Sequence, residues 1–161
     1  MPRSRKPPPA PERNGWRLYA WTEFARQLAA LRSEVEELRR RDPSTYERHP
    51  KTKLLAAVRR LILEVIPRDP GAEEFRQGST LGPAHRHWFR AKFSQRFRLF
   101  YRFHSARKII IYTWMNDEST LRKHGSKRDP YSLFRTMIER GTPPSDFDDL
   151  LRQSGSLNLP D

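Results

Sequence analysis

One stretch of the chain reads Trp88-Phe-Arg-Ala-Lys-Phe-Ser-Gln-Arg-Phe-Arg-Leu-Phe-Tyr-Arg-Phe103, and its basic and apolar residues alternate with a period near two. Successive side chains on a β-strand point to opposite faces of the sheet, so the alternation predicts strands with one apolar and one positive face. The apolar face would carry Phe89, Ala91, Phe93, Phe97, Leu99, Tyr101 and Phe103. The positive face would carry Arg90, Lys92, Arg96, Arg98, Phe100 and Arg102.

The sequence around this stretch lacks negative charge. From Phe75 to Asn116 there is no Asp or Glu, whereas nine residues are Lys or Arg. One interpretation is an edge ladder that is charged for solubility, but such ladders usually mix both signs. A positive sheet face without counter-charge favours the other interpretation, an anionic partner, for which a polyphosphate is the natural candidate.

The whole chain is basic and contains no cysteine. Its 161 residues carry a formal net charge of +13, which favours nucleic acid or the ribosome as a partner over an anionic membrane surface. The absence of cysteine excludes a disulfide framework and a thiolate metal site, and it fits a reducing cytoplasm. No apolar run approaches the length of a membrane span, so we expect a cytoplasmic protein with no membrane partner.

The chain length predicts one domain with two tails. We expect a disordered, basic, Pro-rich arm over residues 1–13, a folded domain over 14–150 and a flexible tail over 151–161. A first amphipathic helix after Thr22 would bury Phe24, Leu28, Leu31, Val35 and Leu38, which recur at spacings of four and three. A second helix would run from Pro50 to Ile66, and the two would form a helical hairpin on a sheet.

Three strands are expected near Trp88–Phe93, Arg96–Phe103 and Arg107–Met115. The last is apolar on both faces, which predicts a central position in the sheet. Asp129-Pro130 is typical of a helix start, and Gly141 of the position just past a helix end. With a short strand at residues 16–20, the fold is predicted to be α+β in the order β-α-α-β-β-β-α, with a small antiparallel-rich sheet. Helices would cover one face and leave the other face free.

This arrangement of cations suits the cleavage of RNA. RNA carries its own nucleophile, the 2′-OH, so a protein needs only to align it with the neighbouring phosphate, take its proton and stabilise the added charge. Several cations stabilise that charge without a metal or another cofactor. Lys92 is the candidate base or proton donor because like charges around a lysine favour its neutral form. His124 or Tyr131 would protonate the leaving group, and Phe100 would stack a base.

Other ionisable clusters have simpler interpretations. His85 and His87 have the appearance of a metal pair, but no carboxylate or cysteine lies near them in sequence, so a solvated loop is favoured. Asp146, Asp148 and Asp149 are interpreted as a helix N-terminal turn or a solvated tail. We therefore expect no metal site.

Several motifs resemble the YhaV-type toxins, and the resemblance runs from about Asn14 to Asp149. They comprise the five segments Asn14-Gly-Trp-x-Leu-Tyr-Ala20, Thr52-Lys-Leu-Leu-Ala56, Arg98-Leu-Phe-Tyr-Arg-Phe103, Trp114-Met-Asn-Asp-Glu-x-Thr-Leu-Arg122 and Met137-x-x-Arg-Gly-x-Pro-Pro144. The segment that starts at Trp114 is the most specific. The segment that starts at Arg98 marks only the wider RelE-like superfamily.

The resemblance implies a bacterial type II toxin with endoribonuclease activity and a RelE-like fold. It implies cleavage of mRNA through a 2′,3′-cyclic phosphate, without metal and often on the ribosome. It also implies a swapped-hairpin antitoxin of the AbrB/PrlF-like type, and a complex of the two proteins that binds operator DNA and represses its own operon.

Carried over by position, the catalytic residues implied by the resemblance are Arg90, Lys92 and Arg98, with His124 near the place of a terminal catalytic tyrosine. Relatives often have another arginine after the last strand, where this chain has Asn116-Asp117. Arg122 or Lys127 would replace it. The RNA-binding set is predicted to be Arg96, Phe100, Arg102, Arg122 and Lys127. Two further hypotheses are a module that binds RNA or the ribosome without cutting, and a DNA-binding co-repressor.

Overall fold

The structure is a computed structural model that describes residues 9–117 and 129–159. In chain order its strands and helices are β1 (Glu12–Arg13), β2 (Trp16–Trp21), α1 (Thr22–Arg41), α2 (Pro50–Arg60), β3 (Phe89–Phe93), β4 (Phe97–His104), β5 (Ile109–Met115), α3 (Pro130–Glu139), α4 (Phe147–Arg152) and β6 (Ser154–Ser156). Helix α2 continues through a π-helical turn (Leu61–Val65) into a last α-helical turn (Ile66–Arg68). Short 3₁₀ turns lie at Tyr46–Arg48, Glu73–Phe75 and Pro83–His85.

The strands form one mixed sheet in the order β1-β2-β5-β4-β3, and β6 also pairs with β2. Strands β2 and β5 are parallel, whereas β3, β4 and β5 are joined by antiparallel pairings. Every residue of β5 is buried, which confirms the predicted central position of this apolar strand. The predicted α+β class is also confirmed, although the chain has strands at both ends that the sequence pattern did not predict.

Helices α1 and α2 cover one face of the sheet, as the amphipathic spacing predicts. The stripe on α1 is buried at each of its predicted positions. Its residues Phe24, Leu28 and Leu31 pack in one core cluster with apolar residues of the strands, which include Leu18, Leu99 and Tyr101. Burying a side chain of this size contributes roughly 1.5–3 kcal/mol. The buried Tyr112 hydroxyl donates to the Ile62 carbonyl at 2.7 Å, which ties the π-helical turn to the central strand.

The opposite face is not free, contrary to the prediction. A second core cluster joins Trp88, Phe100 and Trp114 to Phe134 and Ile138 of α3. Phe134 stacks on Phe100 with ring centroids 4.3 Å apart, and it lies 5.8 Å from Trp114. The alternation of the strands fixes which residues share a face, but it does not specify which helix covers that face.

Both predicted tails reach into the fold. β1 lies inside the predicted arm and pairs with β2 through Glu12–Arg17 and Arg13–Trp16. At the other end, β6 pairs with β2, and Leu157 is buried with its N–H donating to the Leu18 carbonyl at 3.0 Å. The folded domain therefore extends beyond the predicted limits of residues 14 and 150.

No helix in the described ranges is both long and apolar enough to span a bilayer.

Candidate active site

The β3–β4 hairpin brings the three predicted strand cations to one face. Lys92 lies directly opposite Arg98, and Arg90 lies opposite Phe100. Residues paired across antiparallel strands have neighbouring side chains on the same face. The structure thus gathers Arg90, Lys92 and Arg98 at one end of the face that α3 partly covers.

Arg98 is held by its own turn. Its Nη1 donates to the carbonyl oxygens of Gln95 at 3.0 Å and Phe97 at 2.9 Å. Its Nε is buried and has no hydrogen-bond partner among the described residues. The carbonyl contacts orient the guanidinium group. They leave Nη2 available to donate a hydrogen bond to an anion such as a phosphate.

Arg90 is anchored on the neighbouring strand. Its Nη1 donates to the Glu74 carbonyl at 3.1 Å, and its Cζ lies 5.9 Å from the centre of the Tyr131 ring. Its Nε also lacks a partner within the described ranges. Lys92 is exposed, and no carboxylate in the described residues forms an ion pair with it. The three cations therefore lie on one face, and besides the two buried Nε atoms, the Nη2 groups of Arg90 and Arg98 and the Lys92 ammonium have no partner among the described residues.

Tyr131, one of the two residues considered for leaving-group protonation, lies at this site. It is the second residue of α3, whose start is fixed by Asp129: the Asp129 carboxylate accepts from the Ser132 N–H at 2.8 Å. The Tyr131 ring packs edge-on against Phe100, with ring centroids 5.7 Å apart. Helix α3 thus places a half-buried phenol beside Arg90.

Phe100 does not lie where base stacking requires it. The prediction is wrong because Phe100 has no exposed surface and lies between Trp114, Tyr131 and Phe134. Its ring faces are already used by the core, so no base can reach them without unpacking α3.

The side chain of Arg102 is likewise engaged in contacts inside the protein, contrary to its predicted role in RNA binding. Its Nη1 donates to the Ser145 carbonyl, and its Cζ lies 5.4 Å from the Trp88 ring and 5.6 Å from the Phe147 ring. Burial lowers the pKa of Arg102 to about 10, and Asp146 acts in the opposite direction. The side chain stays charged at neutral pH and fastens α4 to the sheet.

Three predicted site residues, Arg122, His124 and Lys127, lie outside the described residues. Arg96 lies at the end of the β3–β4 turn and is exposed. No three His, Asp or Glu residues in the described ranges are grouped in a way that could hold a metal ion.

The chain is similar to one known protein family and to individual proteins of that family. A model of a family described as a toxin with endonuclease activity, of a toxin-antitoxin system, matches residues 18–155. The chain belongs to the YhaV toxin family. It is 46% identical over 143 residues to "Ribonuclease toxin YhaV" of Escherichia coli K12, covering 88% of this chain and 93% of the relative. "Toxin YhaV" of Escherichia coli O157:H7 matches to the same extent, and that of strain CFT073 is 45% identical with the same coverage. No solved structure matches.

The segment most specific to YhaV toxins contains a positioning residue that the sequence interpretation missed. Asn116, fully buried, accepts a hydrogen bond from the Arg98 N–H at 2.7 Å and donates to the Arg96 carbonyl at 2.9 Å. Gln27 of α1 binds the neighbouring Met115 backbone in the same two-sided way, at 2.6 and 3.1 Å. The side-chain amide of Asn116 thus fixes the backbone at the start of β4.

Proposed function

We propose that this protein is the toxin of a type II toxin-antitoxin system and cleaves RNA without a metal ion. The observation that carries the proposal is the grouping of Arg90, Lys92 and Arg98 on one face of the β3–β4 hairpin, with no paired carboxylate among the described residues. Membership of the YhaV family supports it, because one relative is named a ribonuclease toxin. The RelE-like arrangement of the sheet and helical hairpin is part of this proposal.

The reaction uses the substrate's own 2′-OH. The 2′-oxygen forms a bond to the adjacent phosphorus, its proton passes to a base, and the bond from phosphorus to the 5′-oxygen breaks. The leaving 5′-oxygen takes up a proton, so the products are a 2′,3′-cyclic phosphate and a 5′-hydroxyl end. Arg98 and Arg90 stabilise the charge that builds on the phosphoryl oxygens.

Lys92 and Tyr131 are the described residues that can exchange protons at this site. Lys92 is exposed opposite Arg98, and Tyr131 lies beside Arg90. We assign Lys92 to the base or acid step, and we keep Tyr131 and His124 as the two candidates for the leaving-group proton. A pH–rate profile of Lys92→Met and Tyr131→Phe separates these roles.

The partners follow from the proposed activity. Messenger RNA is the substrate, and we propose that the toxin acts in the bacterial cytoplasm in association with the ribosome. An antitoxin of the swapped-hairpin type would neutralise it, and the complex of the two would repress the operon through operator DNA. A gel shift that requires the antitoxin would assign the operator contacts to the antitoxin and not to this chain.

Growth arrest and RNA cleavage test the proposal directly. Expression of wild type should arrest growth and create new RNA 5′ ends, whereas Arg98→Ala and Arg90→Ala should do neither and remain folded. Arg26→Ala, which changes an exposed arginine on α1, is the control. EDTA should leave cleavage of purified RNA intact. Full toxicity of both site variants would refute the site assignment.

One observation favours a second candidate function, binding without cleavage. The guanidinium of Arg98 already contacts two carbonyls of its own turn, so it has fewer donors for a reacting phosphate. In that case RNA incubated with ribosomes would stay intact while salt-sensitive binding persisted.

A further inference from the structure

A cavity of about 280 Å³ lies between the beginning of α2 and the β3–β4 turn. Its apolar lining, called the floor here, consists of Pro50, Leu54 and Phe97, and its cationic lining, called the rim, includes Arg48, Lys53 and Arg96. The volume is at the lower end for small-molecule pockets, which suits one unit of a polymer better than a complete drug-sized ligand.

The rim of the cavity is cationic. Within the described residues, no carboxylate forms an ion pair with Arg48, Lys53 or Arg96. Lys51, which also borders the cavity, is neutralised by Glu34 with 2.9 Å between Nζ and Oε2. The first turn of α2 adds the partial positive charge of a helix N-terminus. Three cations thus surround an apolar floor with no internal counter-charge.

The cavity and the candidate active site adjoin the same β3–β4 turn on opposite faces of the sheet: Phe97 lines the cavity from the face that α1 and α2 cover, and its neighbour Arg98 belongs to the other face. Ser94 and Gln95 form this turn with φ angles of 45° and 64°, and Ser94 borders the cavity. The Gln95 carbonyl accepts from Arg98, while the next residue, Arg96, lies on the rim. An RNA strand held at Arg98 would reach the cavity by passing around the tip of the β3–β4 hairpin, where Arg96 is exposed and borders the cavity.

We propose that this cavity, the flanking-nucleotide pocket, binds one nucleotide of RNA next to the cleavage site. Its base lies on the apolar floor and its phosphate contacts the rim, because a nucleotide combines an apolar ring face with an anion. An acidic peptide would match the rim, but the apolar lining beside the cations and the turn that the cavity shares with Arg98 favour an RNA strand. This inference rests on the proposed function and names a part of the substrate that the active site itself does not hold.

The first test compares Arg48→Ala/Lys53→Ala with the charge-matched control Arg26→Ala/Arg39→Ala on α1. The pocket variant should raise KM for a single-stranded RNA substrate at unchanged kcat. With a 2′-deoxy version of the same oligomer, the slope of log K against log salt should become shallower by about 0.7, the contribution of one phosphate contact on a single strand. The control should show a smaller change in both measurements.

A crosslinking experiment locates the RNA. The chain has no cysteine, so Ser94→Cys introduces a single thiol at the pocket, and Ser33→Cys introduces one on the exposed side of α1. A benzophenone attached at position 94 should capture RNA, whereas the same label at position 33 should not. Combining Ser94→Cys with the pocket variant should abolish capture.

The possible failures are distinguishable. If wild type leaves RNA uncut, the proposed function fails, but the 2′-deoxy oligomer still reports on the pocket. If wild type cuts RNA and the pocket variant has the same KM and salt slope as the control, the pocket assignment is overturned. Loss of antitoxin binding with unchanged RNA binding would also overturn it, since the occupant would then be an acidic peptide.

Discussion

At the start of β4, the side-chain amide of Asn116 makes the two backbone hydrogen bonds that a neighbouring strand would otherwise make. It satisfies one N–H and one carbonyl on the turn that carries Arg96 and Arg98. A carboxylate of the same size can accept from the Arg98 N–H but cannot donate to the Arg96 carbonyl. Asparagine at this position therefore determines how precisely the adjacent cation is held.

Replacing Asn116 with leucine should cost about 1–3 kcal/mol for each buried backbone group left without a partner. Urea unfolding measures this loss. Asn116→Asp should retain more stability but reduce kcat, because the orientation of Arg98 depends on both hydrogen bonds. If Asn116→Asp leaves kcat unchanged, the two hydrogen bonds of Asn116 contribute only to stability.

Phe100 offers a clean distinction between a core residue and a base-stacking residue. Phe100→Ala should lower the free energy of unfolding by about 3–5 kcal/mol, as expected for a buried aromatic ring. Phe100→Leu should cost less and keep RNA affinity close to that of wild type. Loss of affinity in a fully stable Phe100→Leu protein would restore the stacking role.

The lowered pKa of His87 should make the stability of the fold depend on pH. Burial lowers the pKa of His87, and the charges of Arg102 and His85 lower it further. The unfolded chain therefore binds more protons than the folded chain below about pH 6.5, and stability falls as the pH decreases through that range. His87→Gln should flatten the fall in Tm from pH 8 to about pH 5, by a small amount because the ring is only partly desolvated and the residue as a whole is exposed.

At the scale of elements, local pattern predicted the helices α1, α2 and α3 and the strands β3, β4 and β5 well. The spacing on α1, the Pro50 start of α2 and the Asp129-Pro130 start of α3 each carry a local signal that survives in the fold. The position of α3 on the sheet has no local signal, because the contact of α3 with Trp114 and Phe100 joins segments that are distant in sequence. For the same reason the alternation predicted that Arg90, Lys92 and Arg98 share a face, as they do, but not that Phe100 is buried and Arg102 held by contacts with Ser145 and Phe147.

Strand β6 lacked any such signal, since it consists of Ser154, Gly155 and Ser156. It nevertheless completes the edge of β2, and the Gln153 side chain accepts from Trp21 Nε1 at 3.1 Å. Ending the chain after Arg152 should therefore lower Tm and raise aggregation by exposing the edge of β2. Equal Tm values for the truncated and full-length proteins would show that β6 contributes nothing to stability.

At the scale of the molecule, charge is separated from the two cores. The sheet is packed with apolar residues on both faces, and two groups of cations without an ion pair among the described residues lie at the β3–β4 end and beside the beginning of α2. RNA binding should therefore weaken steeply with salt, by about 0.7 in log K per decade of salt for each phosphate contacted. Fluorescence anisotropy of a labelled RNA over a salt series gives the number of contacts, and a flat series would exclude an electrostatic interface.

The parallel pairing of β2 with β5 determines when the sheet can be completed during synthesis of the chain. Arg17 lies opposite Ile109 and Ala20 opposite Tyr112, so the first long strand waits for a partner that leaves the ribosome most of a chain length later. Such distant contacts make folding slow. A nascent chain that stops before Met115 cannot complete the sheet, and the β3–β4 hairpin then lacks the strand and the amide that hold Arg98. The surface that carries Arg90, Lys92 and Arg98 is therefore assembled only after β5 and Asn116 have left the ribosome.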